Sequence, residues 1–106
     1  MDSIETTTYH NPLDDLKAQH VAELFSVLGD TSRVKIIAAL LNGPMNVQSL
    51  ADAVGISPSG ISHHMRSLRQ LRLVRAHKQG RQVFYSLDDQ HVEELFQRGI
   101  DHVMHG

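Results

Sequence analysis

The chain has no cysteine and no tryptophan, three prolines in 106 residues, and an aromatic content of 5%. Without cysteine neither a disulfide nor a thiolate metal site can form, so any metal must be held by imidazole and carboxylate groups. The longest wholly apolar run, Ile36 to Leu41, is far too short to span a bilayer, and the N-terminus lacks the basic-then-apolar pattern of an export signal. A cytoplasmic protein is expected. A hydrophobic content of 41% in 106 residues supports one modest core, a size that commonly gains stability by pairing with a second copy.

Acid is what the middle of the chain lacks. Between Ala53 and Leu87 stand six basic residues, Arg66, Arg69, Arg72, Arg75, Lys78 and Arg81, with no Asp or Glu. The whole chain holds 10 Lys and Arg against 12 Asp and Glu, so four bases and twelve acids remain outside. A +6 segment thus sits in a −8 background under a net charge of −2. A run of this kind is ordinarily a solvated face; here it coincides with a nucleic-acid-reading pattern.

Residues 1–10 are polar and without period, and read as a flexible arm ahead of a single domain over residues 11–106. Asn11-Pro12 offers a cap and a proline at the first helical position. Val21, Leu24, Phe25 and Leu28 then follow at helical spacing, and Gly29 closes this first helix. Asp30 caps a second helix with Val34, Ile37, Ala38 and Leu41 expected inward, stopped by Asn42-Gly43-Pro44. A third helix over Val47 to Val54 ends at Gly55. Ser57-Pro58 opens a fourth with Ile61, Met65 and Leu68 inward, and the pair reads as a helix-turn-helix. After Leu71 the period shortens. Leu73 to Ala76 and Gln82 to Ser86, joined through His77 to Arg81, read as a β-hairpin wing. The fold class is therefore mainly α with a small β-hairpin (α+β), a winged helix-turn-helix.

Asp88 or Asp89 caps a last helix whose apolar residues Val92, Leu95, Phe96, Ile100 and Val103 form a face that needs a partner. The same helix carries His91, His102 and His105. His91 and His102 lie eleven residues apart, roughly 16 Å along an α-helix, too far to share an ion. At ~100° per residue, however, all three fall within a wedge of roughly 60°. His102 and His105 can meet on one ion, with Asp89 and His91 at the other end, and an antiparallel partner helix would bring the halves together. The expectation is a homodimer through its terminal helices with two equivalent intersubunit sites, each built from Asp89 and His91 of one chain and His102 and His105 of the other. Three imidazoles and a carboxylate suit tetrahedral Zn2+, with Co2+ or Ni2+ less favoured. Taken alone, the same histidines are equally read as solvated residues, or as cations complementing the helix C-terminus. His10 and His20 are candidate extra ligands, more simply read as solvated.

The stretches Leu28-Gly29-Asp30-Thr31-Ser32-Arg33, Ser57-x-Ser59-x-Ile61-Ser62-His63-His64-Met65-x-x-Leu68, Gly80-Arg81-x-Val83-x-Tyr85-Ser86-Leu87 and the terminal Asp-x-His-x(10)-His-x-x-His together resemble the ArsR/SmtB family of metal-responsive repressors, from about Val21 to His105. Within it the likeness is greatest to the CzrA-like zinc and cobalt sensors, with metal on the C-terminal helix. The resemblance implies a dimer that represses a metal efflux or resistance operon until metal binds and operator DNA is released. It also implies Asp89, His91, His102 and His105 as ligands. The family's other common site uses cysteines on the third helix, where this chain has Asn46-Val47-Gln48-Ser49, so thiolate-based sensing is excluded.

The fourth helix is expected in the major groove of double-stranded DNA through Ser57, Ser59, Ser62, His63 and Arg66, with Lys78, Gln79 and Arg81 of the wing tip on backbone or minor groove. For the serines, helix capping is the alternative role. His63 and His64 diverge by ~100° as helical neighbours and make a poor metal pair. An enzymatic zinc site is disfavoured, because no His-Glu-x-x-His is present and four protein ligands leave no position for water. A winged-helix repressor that answers a non-metal signal is the remaining alternative.

Overall fold

Asp14, Asp30, Asn46, Ser57 and Asp89 each accept a hydrogen bond from a backbone N–H two or three residues further on, and a helix starts after each. A short side-chain oxygen at this position satisfies a donor that the helix itself leaves orphaned. In a computed structural model, which describes residues 10–106, the elements run α1 (Asp15–Leu28), α2 (Thr31–Leu40), β1 (Met45–Asn46), α3 (Val47–Val54), α4 (Pro58–Gln70), β2 (Val74–Gln79), β3 (Gln82–Leu87) and α5 (Gln90–His105). The expected N-terminal arm lies, His10 aside, outside the described residues. No helix among them is long and apolar enough to cross a membrane.

The first helix starts later than Asn11-Pro12 suggests. Asn11 Oδ1 instead accepts from the Leu13 N–H at 2.9 Å, closing a turn, and Asp14 caps the helix through the Lys17 N–H. Asn11 and Asp14 are both good capping residues, and the second wins because a local Asx turn takes up the first.

Gly55 follows α3 with φ +83° and its N–H bonded to the Ala51 carbonyl, which lets the chain reverse at once into Ser57 and α4. A Cβ there would meet no atom within 4 Å, so Gly55→Ala carries only the backbone cost of the left-handed region. A loss of about 1 kcal/mol is expected, read as a lowered urea midpoint at fixed protein concentration.

β2 and β3 pair antiparallel from Val74↔Leu87 to Gln79↔Gln82, so the wing turns over Gly80-Arg81 alone, with Gly80 at φ +64°. The ladder therefore runs through His77 and Lys78, which the sequence pattern assigned to a longer connection. A glycine at the first of two central residues permits the tighter turn. β1 was not foreseen. Met45 and Asn46 pair with Tyr85 and Phe84, giving a three-stranded sheet in the order β1-β3-β2.

The core collects Ile36, Ile37 and Leu40 of α2, Leu50 and Ala51 of α3, Ile61, Met65 and Leu68 of α4, strand residues Val74, Tyr85 and Leu87, and Val92 and Phe96 of α5. Two expected faces are corrected. On α2 the buried stripe is Ile36, Ile37 and Leu40, while Val34 stays 37% exposed and Leu41 is half-buried. On α1 no residue is buried, and Phe25 is 57% exposed.

Candidate nucleic-acid interface and metal site

Helix α4 is two-faced because Ile61, Met65 and Leu68 recur at i, i+4 and i+7 and are buried, which leaves Ser59, Ser62, His63, Arg66 and Arg69 exposed. Ser57, also exposed, caps the helix, its Oγ accepting from the Gly60 N–H at 3.0 Å. Ser57 and Ser59 hydroxyls lie 3.1 Å apart. Two hydroxyls at a helix N-terminus place donors, and the positive end of the helix dipole, where a phosphate or base edge can sit. Ser57 thus caps the helix and also hydrogen-bonds the Ser59 hydroxyl, while Ser62 takes no part in the cap.

His63 and His64 do not form a metal pair. Their rings meet edge-on at 5.7 Å between centroids, and His64 turns a buried, unpartnered Nδ1 into the protein.

The wing tip presents Lys78, Gln79 and Arg81, all exposed. Among the described residues the ion pairs are Lys17 with Asp14 and His91 with Asp89, so none of the six cations of the acid-free segment has a carboxylate partner. Arg75 donates to another side chain, its Nε reaching Ser86 Oγ at 3.3 Å across the wing. Arg69, one turn beyond Arg66 on the exposed face of α4, is a cation that the motif-based selection of contacts missed; its i+3 spacing from Arg66 was the available signal.

Helix α5 spans its full expected length, with Asp89 and His91 at its start and His102 and His105 in its last turn. Asp89 Oδ1 accepts from the Val92 N–H at 3.0 Å, and Oδ2 lies 3.7 Å from His91 Nδ1. The Val92 N–H, and secondarily the nearby His91 imidazole, hold the Asp89 carboxyl below its ordinary pKa. A depressed carboxyl pKa stabilises the fold above the ordinary carboxylate range, and that contribution is lost as pH falls through the lowered value. The carboxylate divides its work: one oxygen ties down the helix, the other is available beside an imidazole that is 92% exposed. Three imidazoles and a carboxylate are donor types that suit a tetrahedral divalent metal, and they stand in two pairs at opposite ends of the helix.

Among the described residues no three metal-binding side chains of one chain come together, and His10 and His20 are both exposed without joining such a group. In the stretch Asn46-Val47-Gln48-Ser49 two side chains are engaged locally: Asn46 caps α3, and Gln48 Nε2 donates to Asp52 Oδ1 at 3.0 Å.

Beside the histidine line runs an apolar groove of about 380 Å³, lined by Phe25 and Leu28 of α1, Val34 of α2, and Leu95, Phe96, Gly99, Ile100, Val103 and Met104 of α5. Val103 and Met104 are 82% and 71% exposed. Large apolar side chains gathered in one uncovered patch mark a surface for association.

Residues 30–76, which hold α2 to α4 and the start of the wing, match the model of the family described as bacterial regulatory protein, arsR family. The chain is 43% identical over 94 residues to the HTH-type transcriptional regulator NmtR of Mycobacterium tuberculosis, covering 89% of this chain and 78% of that one. It belongs to the ArsR family. To the transcriptional repressor SmtB homolog of a Synechocystis species, identity is 44% over 82% of this chain and 66% of the other. The solution structure of apo-NmtR superposes with a TM-score of 0.76 at 40% identity, covering 94% and 84% of the two chains. A homodimeric winged helix-turn-helix DNA-binding domain from Mycobacterium bovis gives a TM-score of 0.78 at 22% identity, over 93% of each chain, a likeness of fold. As an ArsR-family protein the chain is a DNA-binding transcriptional regulator and not an enzyme.

Proposed function

We propose that this ArsR-family regulator is a cytoplasmic metal-sensing repressor of the CzrA-like type. It binds operator DNA as a metal-free dimer and leaves it when Zn2+, or less readily Co2+ or Ni2+, occupies two intersubunit sites, derepressing metal efflux or resistance genes. The observation that carries this reading is the division of α5: Asp89 and His91 at one end, His102 and His105 at the other, beside an uncovered apolar groove. A second copy packed antiparallel covers the groove and completes both sites in one step. The names of the relatives agree in kind, one being a transcriptional repressor and one an apo form.

In this mechanism Ser59, Ser62, His63 and Arg66 face the major groove, Ser57 holds the start of the helix, and Lys78, Gln79 and Arg81 engage phosphates beside it. Asp89 and His91 of one protomer and His102 and His105 of the other would hold the metal, which when bound would supply a link between them. Protons and metal compete for the same ligand lone pairs, so affinity for zinc is expected to weaken on acidification. By linkage, DNA weakens metal binding by the factor by which metal weakens DNA binding.

The deciding experiment is fluorescence anisotropy of a labelled duplex from the gene's own upstream region, titrated with apo protein at fixed salt and then with zinc. Tight binding that weakens by about 100-fold on adding zinc is expected. Tight binding indifferent to zinc, cobalt and nickel would leave a DNA-binding regulator and remove the metal sensor.

A further inference from the structure

Asn46 belongs to three parts of the molecule at once. Its backbone pairs with Phe84 in the β1–β3 ladder, its Oδ1 caps α3 by accepting from the Ser49 N–H at 2.8 Å, and its Nδ2 donates to Gln82 Oε1 at 3.1 Å, 36 positions along the chain. Gln82 is the first residue after the wing's turn and pairs with Gln79. The amide–amide bond therefore joins the entry of the helix-turn-helix to the tip of the wing.

The sheet explains why such a bond is needed. β1 covers only Tyr85 and Phe84 of β3, so beyond Phe84 the wing continues as two strands alone. A two-stranded ribbon twists strongly and is marginal by itself. Gln82 lies two residues beyond Phe84, on the same face, and stands diagonally across from Asn46, a spacing that long side chains can bridge. In α3, Leu50 and Ala51 pack into the core that also takes Ile61 and Met65 of α4, so what is fixed to the start of α3 is fixed to the reading helix.

We propose that Asn46 and Gln82 are positioning residues for DNA: their bond sets the wing against α4, so that Lys78 and Arg81 meet phosphates while α4 occupies the groove. This rests on the DNA docking described above.

The test uses apo protein and the same labelled duplex, titrated over a series of salt concentrations. Asn46→Ser keeps a good capping residue but is too short to reach Gln82, and Gln82→Ala removes the other partner at an exposed position. Each is expected to weaken binding by about fivefold to a hundredfold, the scale of one hydrogen bond in each of two protomers, and to lower the salt slope by roughly two as a wing phosphate contact is lost on each side of the dimer. The double variant is expected to be no weaker than either single. In a Lys78→Ala/Arg81→Ala background, neither substitution should weaken binding further. A urea midpoint for Gln82→Ala equal to that of the parent separates positioning from stability. The brace is overturned if Lys78→Ala/Arg81→Ala lowers the salt slope while Asn46→Ser and Gln82→Ala leave slope and affinity unchanged; the DNA docking would then stand without it.

Discussion

Asp89→Asn/His91→Ala protein and His102→Ala/His105→Ala protein are each expected to lose zinc binding, yet an equimolar mixture of the two is expected to regain it at one ion per mixed dimer. Every site of the first homodimer lacks its N-terminal pair of ligands, and every site of the second lacks its C-terminal pair. In the mixed dimer one site lacks all four ligands and the other has all four. Asn at position 89 preserves the cap to the Val92 N–H, because Asn and Asp serve that role about equally, so α5 keeps its start. Loss of a group that merely supports a ligand can cost roughly 10- to 100-fold in metal affinity, so loss of two direct ligands exceeds that. If the copies assort at random, half of the dimers are mixed, and isothermal titration of the mixture should show one zinc per two dimers at the parent affinity. Competition with a chromophoric chelator gives the same stoichiometry independently. No recovery in a mixture shown by mass spectrometry to contain mixed dimers would place the ligands within single chains or elsewhere, and would sink the intersubunit site.

The elements that the sequence made legible are those set by local chemistry. Asp30, Ser57 and Asp89 are short acceptors standing immediately before periodic apolar residues, and each caps its helix. Gly55 and Gly80 sit where φ must be positive. The acid-free cationic segment was visible as a count, and its cations do stand without carboxylate partners among the described residues. Two things resisted. β1 is two residues long, too short to show a period, and exists because Tyr85 and Phe84 offer an edge to pair with. The Asn46–Gln82 bond depends on that pairing and has no linear signal.

The misassigned faces have a different cause. Phe25 on α1 and Val34 on α2 do recur at helical spacing with other apolar residues, so the periodicity is real. Within one chain, however, Ile36, Ile37 and Leu40 take the core, and Phe25 and Val34 line the open groove with Leu95, Val103 and Met104. A hydrophobic pattern records burial in the working assembly and does not say which chain supplies the cover. The same ambiguity applies to the proposed metal site, whose two halves stand at opposite ends of α5 and would meet only across two copies.

Phe25→Asp is expected to convert the protein from a dimer to a monomer at micromolar concentration while leaving its helix content unchanged. Phe25 is 57% exposed in the single chain, so exchanging it costs the folded protomer little burial. In the proposed dimer a second copy covers the groove. Burying a phenylalanine side chain contributes about 1.5–3 kcal/mol, and a twofold interface uses each copy once, so the loss counts twice. A carboxylate left in the apolar groove without a partner adds a further penalty of similar sign. A total of at least ~4 kcal/mol corresponds to about a thousandfold weaker dimer. Sedimentation velocity reads the mass, and far-UV circular dichroism confirms that the helices persist. DNA and zinc should fail together in this variant, because the two α4 helices no longer span successive half-sites and neither end of α5 meets its complement. A protein that stayed dimeric and bound zinc as the parent does would show that something other than a second copy covers Phe25, Val34 and Leu95.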